Sequence, residues 1–354
     1  MTKFREFIDL RSDTVTLPTD EMLEAIRNAR LGDDVFKEDP SVNQLEEMAA
    51  NKMGKDAALL VTSGTQANLV SLICNTKRGD LVILESECHI YYSEVGGLSA
   101  VAGLLPWPIK GNMGVLNPTD IAAALRPKNI HFPEATLVCI ENTHNRAGGT
   151  VTSLEEMRNI SEVVHSNGLR LYMDGARIFN AAVALGVDVR QISKHVDSMM
   201  FCLSKGLSCP IGSLVVGNQE FIDKARKTRK MLGGGMRQAG IIAAPGIIAL
   251  EKMIDRLKKD HLNARLLAEG LARIDGISVD VKNVETNIVN ADLAGLGVPS
   301  SQFASELKEH GILILTRDER NVRLVTHRGI EKEHITESLN VIDGVVRKIH
   351  GQSL

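Results

Sequence analysis

The chain has 354 residues, of which 44% are hydrophobic and 24% charged, and its formal net charge is −3. These values are typical of a globular protein, and the length predicts a large domain accompanied by a smaller one. The negative net charge argues against the basic surface of a nucleic-acid-binding protein, and an aromatic content of only 3% argues against its stacking side chains.

The hydrophobic segments are too short for a membrane protein. The longest, from Ile241 to Leu250, is interrupted by Pro245-Gly246 and falls far below the ~20 apolar residues that a membrane-spanning helix needs. Charged residues also occupy the amino-terminal positions where a signal peptide has its apolar core. We therefore expect a soluble, non-secreted protein that does not bind membranes.

The cysteines lack the spacing of a metal site. They are Cys74, Cys88, Cys139, Cys202 and Cys209. This odd set contains no CxxC pair, and several members lie in apolar runs where a free cysteine acts as a small hydrophobic residue. We expect reduced thiols, a cytoplasmic location and no metal site.

Short apolar runs alternate with segments of helical period in the first two thirds of the chain. The runs that predict strands are Ala57 to Val61, Leu81 to Leu84, Thr136 to Ile140, Leu169 to Met173, Ser198 to Leu203 and Ser213 to Val216. Their nearly continuous apolarity indicates strands buried on both faces, and hence a mostly parallel sheet covered by helices. A capping box, Ser153 with Glu156, marks the start of one of these helices. The fold class is α/β.

The pattern changes after Gly217, where the sequence predicts a basic helix over 218–232, a junction at 233–235 and helical segments over 239–275. Further elements then indicate a smaller α+β domain: strands at 277–281 and 286–290, a helix over 300–310, strands near Ile312 and Val322, and a closing helix from Glu331. The predicted division is an amino-terminal segment over 1–50 near the small domain and the site, a large domain over 51–240 and a small domain over 241–354.

The segment Thr62-Ser63-Gly64-Thr65-Gln66 ends the first predicted strand and begins a helix. Glycine lets the backbone approach an anion, the hydroxyl groups add donors, and the amides at the start of the helix complete a phosphate site. Such residues also serve simply as helix caps. By itself the segment is therefore a weak indication of phosphate binding.

Two further motifs follow predicted strands at their carboxyl ends, where ligands bind in open α/β sheets. One is Asp174-Gly175-Ala176-Arg177, and the other is Ser204-Lys205-Gly206. An acid that keeps a pyridine nitrogen protonated and a lysine that forms a Schiff base are what a pyridoxal phosphate (PLP) site requires. Singly, Asp174 could be a helix cap and Lys205 a solvated lysine. The order of the phosphate segment, the acid and the lysine favours the PLP site.

Six segments resemble the threonine aldolase family, whose members are PLP enzymes with the aspartate aminotransferase fold (fold type I). These segments are Asp9 to Thr16, Glu141 to Asn145, Asp174 to Arg177, Leu203 to Gly206, Gly233 to Gln238 and Arg323 to His327. The resemblance implies retro-aldol cleavage of L-threonine and L-allo-threonine to glycine and acetaldehyde. A β-eliminating lyase or an aminotransferase would share the cofactor residues, and a non-enzymatic PLP-binding regulator is the remaining alternative.

The resemblance also implies a role for each matching residue. Lys205 would carry the cofactor, Asp174 would pair with its pyridine nitrogen, Ser63, Gly64 and Thr65 would bind its phosphate, and His89 would stack on its ring. Ser12, Arg177 and Arg323 would bind the substrate carboxylate, which suits the two parallel bonds of a guanidinium, and Arg177 would also border the cofactor. His131 would lie near the substrate hydroxyl. The base remains open between His89, His131 and an ordered water, and His144 is unassigned.

The basic residues around the triple glycine point to oligomerisation. In the family, residues such as Lys230 and Arg237 reach the cofactor region of a neighbouring subunit. The resemblance therefore implies a homo-oligomer, a tetramer built as a dimer of dimers. Lys230 could equally be a solvated residue at the end of a basic helix.

Overall fold

The computed structural model describes residues 7–127 and 129–351, so the charged amino-terminal positions considered above lie outside these residues. The described chain divides into two compact units. The larger comprises Leu17–Ala147 and Val151–Ile254, and the smaller comprises the described residues up to Thr16, Gly148–Thr150 and the described residues from Asp255 onward. No helix within the two described ranges is long and apolar enough to cross a membrane.

Strands and helices alternate along the chain. The strands are β1 (Ile8–Asp9), β2 (Ala57–Val61), β3 (Leu81–Glu85), β4 (Leu105–Ile109), β5 (Ala135–Glu141), β6 (Arg170–Asp174), β7 (Ser198–Cys202), β8 (Ser213–Gly217), β9 (Ile288–Asp292), β10 (Ile312–Leu313), β11 (Leu315–Thr316) and β12 (Asn321–Val325). The helices are α1 (Asp20–Arg27), α2 (Pro40–Met53), α3 (Gly64–Asn75), α4 (His89–Tyr92), α5 (Gly97–Ala100), α6 (Pro118–Ala124), α7 (Leu154–Ser166), α8 (Ile178–Leu185), α9 (Arg190–Ser193), α10 (Gln219–Met231), α11 (Gly240–Lys252), α12 (Leu257–Leu271), α13 (Ser300–Glu309) and α14 (Lys332–Ile349).

The larger unit is built on a seven-stranded sheet with the order β2-β8-β7-β6-β5-β3-β4. Only β8 runs antiparallel to its neighbours, β2 and β7. The carboxyl ends of β2, β3, β5, β6 and β7 therefore lie at one edge of the sheet. Every residue of β3, β7 and β8 is buried, which agrees with the continuous apolarity of the six predicted strands, all of which are present.

The sequence analysis missed strand β4, whose sequence is LPWPI. Pro106 and Pro108 lack backbone N–H groups, and proline usually argues against a strand. The structure accommodates them because β4 is an edge strand that pairs only with β3.

The boundaries of the units differ from the predicted division. Residues 17–50 belong to the larger unit, because α2 packs against β2 and both α1 and α2 pack against α11. The backbone N–H of Gly240 donates to Asp39 Oδ2 at 2.8 Å, which joins the start of α11 to the start of α2. Residues 241–254 consequently stay with the larger unit as well.

The smaller unit contains the antiparallel sheet β11-β12-β9 and the parallel pair β1-β10, and its core includes residues of α12, α13 and α14. The strand predicted at 277–281 is not formed, since only Ser278 pairs, with Asp292. The alternating apolar residues there pack against the core instead, as Ile277 and Val279 do. The next predicted strand begins later, at Ile288.

Candidate active site

The segment that follows β2 has the geometry of a phosphate site. Ser63 is the N-cap of α3, and its Oγ accepts the backbone N–H of Gln66 at 3.2 Å. Ser63 and Thr65 are exposed. A Cβ on Gly64 would lie 3.0 Å from Cys202 Sγ on β7, so glycine avoids a tight contact between the start of the helix and this strand. Open amides, hydroxyl groups and the helix N-terminus suit a dianion.

Asp174 is the last residue of β6 and lies 2% exposed. Its Oδ1 accepts the backbone N–H of Ala176 at 3.0 Å, and its Oδ2 accepts the side chain of Asn68 at 2.8 Å. A Cβ on Gly175 would lie 2.6 Å from the carbonyl oxygen of Met200. The glycine of the motif is therefore required by packing, and the buried carboxylate is an acceptor suited to a protonated pyridine nitrogen.

Lys205 follows β7, three residues after that strand ends at Cys202. The turn around it is closed by the backbone N–H of Ser208, which donates to the Lys205 carbonyl oxygen at 2.8 Å. Because β6 and β7 are parallel neighbours, Lys205 and Asp174 follow their strands at the same edge of the sheet. The structure thus brings together the phosphate segment, the acid and the lysine.

His89 begins α4 at this same edge, just after β3. Its backbone N–H donates to Glu141 Oε2 at 2.6 Å, and its Nδ1 lies 2.9 Å from Glu94 Oε1. The hydrogen bond to Glu94 raises the pKa of His89; burial opposes this, and the charges of Asp174, Glu94 and Glu141 add to it. In the neutral ring, the bond to Glu94 places the proton on Nδ1 and leaves Nε2 as the basic nitrogen.

His144 is held too tightly to act as a base. Its side chain is 2% exposed, with Nε2 3.0 Å from Glu85 Oε2, and its Nδ1 accepts the backbone N–H of Ala147 at 3.1 Å. Burial opposes ionisation of Glu85, but the bonds from His144 and from the amides of Gly111 and Glu87 outweigh it and lower the pKa of Glu85 to about 2. The signature histidine therefore organises loops.

His131 is not brought to this site within its own chain. It is exposed, lies before β5, and its backbone N–H donates to Asn129 Oδ1 at 3.0 Å. The opposite end of β5 is Glu141, which is the register partner of Asp174. The length of a seven-residue strand, about 20 Å, separates the two ends. His131 therefore lies at the sheet edge opposite Asp174 of its own chain, and its place near a substrate hydroxyl stays a prediction.

Arg177 lies at the N-cap position of α8 and is largely buried. Its Nη1 donates to Asn145 Oδ1 at 3.2 Å. Asn145 in turn is anchored because its backbone N–H donates to Glu141 Oε1 at 2.8 Å. The signature loop after β5 thus positions the guanidinium group that the resemblance assigns to the substrate carboxylate.

Ser12 and Arg323 are neighbours within the smaller unit. Arg323 lies on β12, and its Nη2 donates to the carbonyl oxygen of Arg11 at 3.3 Å. His327 Nε2 donates to the carbonyl oxygen of Asp9 at 2.8 Å, while its Nδ1 accepts the backbone N–H of Gly329. The histidine of this signature therefore joins the segment carrying Ser12 to the end of β12.

Lys230 and Arg237 are both exposed. Arg237 Nη1 lies 3.1 Å from Asp33 Oδ2. Between them, a Cβ on Gly234 would lie 2.3 Å from the side-chain nitrogen of Gln66, whose Oε1 accepts the backbone N–H of Thr62. The glycine-rich segment therefore packs against the phosphate site, with its two basic side chains directed to solvent.

Sequence reasoning missed Asn68 and Glu94, which link Asp174 and His89. The side-chain nitrogen of Asn68 donates to both Glu94 Oε1, at 2.7 Å, and Asp174 Oδ2. One signal was available, since Asn68 is a polar residue within the apolar run of α3. A buried polar side chain requires a partner.

Comparisons with known proteins show which proteins the chain is similar to. A profile described as "Beta-eliminating lyase" matches residues 9–294. The chain is 44% identical over 338 residues to low-specificity L-threonine aldolase 1 of Arabidopsis thaliana, covering 94% of each chain. Threonine aldolase of Leishmania major has a TM-score of 0.82 at 20% identity, covering 96% of this chain and 99% of that one. A structure of SPT with PLP has a TM-score of 0.76 at 17% identity, and the match covers 97% of this chain and 88% of that one.

Proposed function

The chain belongs to the threonine aldolase family, and we propose that it is a low-specificity aldolase that cleaves L-threonine and L-allo-threonine to glycine and acetaldehyde. It is a lyase, its cofactor is PLP and its substrate is a small amino acid. When bound, PLP supplies the electron sink for cleavage of the Cα–Cβ bond. The other steps depend on how the side chains of this chain hold the substrate and move protons.

One observation carries the proposal: Asp174 ends β6, and Ser63 and Lys205 follow β2 and β7, all at one edge of the sheet. The exposed hydroxyl and amides bind phosphate, the buried carboxylate accepts a hydrogen bond from a ring nitrogen, and the lysine supplies the amine for covalent attachment. This set can hold PLP at both its phosphate and its ring nitrogen. Arg177 ends the motif that begins with Asp174, where a substrate carboxylate would find a cation.

We propose His89 as the base that takes the proton of the substrate hydroxyl. His144 has both ring nitrogens engaged, whereas the bond between His89 and Glu94 leaves Nε2 as the basic nitrogen of the neutral ring. A histidine in its neutral form can act as a general base through that nitrogen. We also propose that the His89 ring stacks on the cofactor, which is compatible with its role as the base. Ser12 and Arg323 are proposed to bind the substrate carboxylate.

We propose a homotetramer in which neighbouring subunits complete each other's sites. Lys230 and Arg237 are exposed basic residues beside the glycine-rich segment, which suits contact with a neighbour's cofactor. His131 lies at the sheet edge opposite its own Asp174, so a catalytic role for it requires that it serve the site of another subunit. The five cysteines are free and buried, which supports the proposal of a cytoplasmic location.

The proposal is tested by product analysis. The purified protein is incubated with L-threonine, L-allo-threonine and L-serine, and glycine is assayed together with the aldehyde. A low-specificity aldolase acts on both threonine diastereomers. From each of them it forms one molecule of acetaldehyde for every molecule of glycine. Formation of a 2-oxo acid and ammonia would instead identify β-elimination, the activity for which the matching family is named.

The assignment of Lys205 is tested in the same assay. Lys205→Ala removes the amine that holds the cofactor, so the yellow colour of the bound cofactor and nearly all turnover are lost. Lys194→Ala, at an exposed position of the same unit, is the matched control and retains both. A borohydride-reducible cofactor linkage that persists in Lys205→Ala would contradict the assignment.

A further inference from the structure

We propose that Asn68 is a positioning residue that holds the carboxylates of Asp174 and Glu94 in place and, through Glu94, orients His89. This inference deepens the proposed function and rests on its assignment of Asp174 and His89. It assigns to the first helix of the larger sheet a role beyond phosphate binding. Asn68 lies on α3, one turn after the phosphate segment.

The side-chain amide of Asn68 is hydrogen-bonded to three groups, the carboxylates of Glu94 and Asp174 and the hydroxyl of Tyr172. One of its N–H groups donates to Glu94 Oε1 at 2.7 Å and the other to Asp174 Oδ2 at 2.8 Å, while its Oδ1 accepts the hydroxyl of Tyr172 at 2.8 Å. Asn68 is 1% exposed and Tyr172 is fully buried. All polar atoms of the Asn68 side chain therefore have partners, as a buried amide requires.

The orientation of this amide follows from the chemistry of its neighbours. Ionised carboxylates can only accept hydrogen bonds, so the nitrogen of Asn68 must face Glu94 and Asp174. Its oxygen must then face Tyr172, whose hydroxyl can donate. No flipped amide satisfies the same partners. Asn68 thus has a single orientation, and the carboxylates it bonds are held with it.

Without Asn68 the two carboxylates would be a costly pair. The ligand atoms of His89, Glu94 and Asp174 lie within 4.8 Å of one another, and Glu94 and Asp174 are both buried. Burial raises the pKa of Glu94, and the nearby charge of Asp174 raises it further. The hydrogen bonds from His89 and Asn68 act in the opposite direction, but the pKa stays above its ordinary value. Two donors from one amide lower the cost of placing like charges together.

Glu94 transmits this arrangement to His89. Its Oε1 accepts from Asn68 and also meets Nδ1 of His89 at 2.9 Å. The other charged groups that act on His89 are Asp174, at the end of β6, and Glu141, at the end of β5. A displaced Glu94 would therefore change both the direction of the His89 ring and the nitrogen that carries its proton.

The experiment compares Asn68→Asp with Asn75→Asp in the full-length protein. Asn75 is a second buried asparagine of α3, two turns further on, and its amide donates to Ser71 and Ser198 away from the site. Both substitutions are isosteric and place a carboxyl group in the same helix, so Asn75→Asp controls for destabilisation of the helix. Asp174→Asn is the reference for loss of the ring-nitrogen contact.

Two readouts are measured besides turnover: the PLP dissociation constant of the apoprotein, and the absorption spectrum of the bound cofactor. We expect Asn68→Asp to weaken PLP binding about tenfold or more, as loss of a hydrogen bond to a buried charge does, and to shift the spectrum toward that of Asp174→Asn. Asn75→Asp is expected to lower the melting temperature while leaving PLP affinity within about twofold of the unsubstituted protein.

A second variant, Glu94→Gln, tests the step to His89. Loss of the carboxylate lowers the pKa of His89, so the acid limb of the pH profile of kcat/KM moves to lower pH. Equal PLP affinities in Asn68→Asp and Asn75→Asp would overturn the inference alone. An unchanged acid limb would overturn the step from Glu94 to His89 together with the proposal of His89 as the base. Unchanged PLP affinity in Asp174→Asn would overturn both the inference and the proposed site.

Discussion

At the scale of single residues, the glycine of the Asp174 motif shows how packing determines sequence. The backbone N–H of Gly175 donates to the carbonyl oxygen of Met200 at 3.0 Å, and this close approach of β6 and β7 leaves no room for a side chain. Asp174, just before Gly175, and Arg177, two residues after it, can then occupy fixed places at the edge of the sheet. Glycine is thus as much a part of the site as Asp174.

We expect Gly175→Ala to destabilise the protein and to weaken PLP binding. The added Cβ would meet a backbone oxygen at 2.6 Å, and relief of such overpacking typically costs about 1–3 kcal/mol. Urea unfolding and PLP titration measure the two effects. Gly97→Ala, where a Cβ would meet nothing within 4 Å, is the matched control. Equal stability of the two variants would contradict the argument.

The pair of Glu85 and His144 predicts a pH dependence of stability. The pKa of Glu85 is lowered from 4.5 to about 2, so the folded state binds the Glu85 proton less tightly than the unfolded chain does. This contribution to stability is complete above pH 4.5 and is lost as the pH falls from 4.5 toward 2. The melting temperature of Glu85→Gln should therefore depend less on pH between 5 and 2 than that of the unsubstituted protein.

The control for this measurement is Glu155→Gln, at an exposed position in the first turn of α7. It should leave the pH dependence unchanged. The idea would fail if Glu85→Gln and Glu155→Gln gave parallel curves across the acid range.

At the scale of elements, the helices of the sheet divide into those that carry the site and those that only cover it. Helix α3 begins with the phosphate segment and carries Asn68. Helix α7 packs against β6 and carries none of the proposed site residues. It begins with a complete capping box, in which Ser153 Oγ accepts the N–H of Glu156 and the Glu156 carboxylate accepts the N–H of Ser153.

This division predicts that a defect at the start of α7 affects stability and not catalysis. Ser153→Ala removes one half of the capping box and should reduce the free energy of unfolding by about 1 kcal/mol. Chemical denaturation measures the loss, while kcat and KM for L-threonine stay unchanged. A fall in kcat at a temperature where the variant is fully folded would show that α7 does more than cover the sheet.

At the scale of the whole molecule, the position of His131 bears on the proposal that neighbouring subunits complete each other's sites. His131 is exposed before β5, at the sheet edge opposite Glu141 and Asp174. If this histidine acts on the site of a neighbouring subunit, two inactive variants can complement each other. The unsubstituted protein should also sediment as an oligomer at assay concentrations.

We expect co-expressed Lys205→Ala and His131→Asn chains to form mixed oligomers with measurable aldolase activity. A chain with intact Lys205 then receives His131 from its neighbour. The control pair, Lys205→Ala with Asp174→Asn, should remain inactive, because both residues belong to the same chain's site and no complete site can form. Absence of rescue in the first pair, with mixed oligomers demonstrated, would refute the shared site.

Many features of this protein follow from local sequence. The continuous apolar runs predict six of the seven strands of the larger sheet because strands buried on both faces need apolar side chains throughout. The motifs around Ser63, Asp174 and Lys205 indicate PLP chemistry because the carboxyl ends of parallel strands converge at one edge. Capping residues predict the beginning of α7. In each case the physical cause lies within a few neighbouring residues.

The tertiary structure alone decided the features that depend on distant contacts. Strand β4 tolerates its prolines because it lies at an edge, and residues 17–50 belong to the larger unit because α1 and α2 pack on α11. The bonds from Asn68 to Glu94 and Asp174 join residues up to 106 positions apart. His131 lies at the far edge because its loop precedes β5. Such pairings depend on how the chain folds back on itself, which no local pattern encodes.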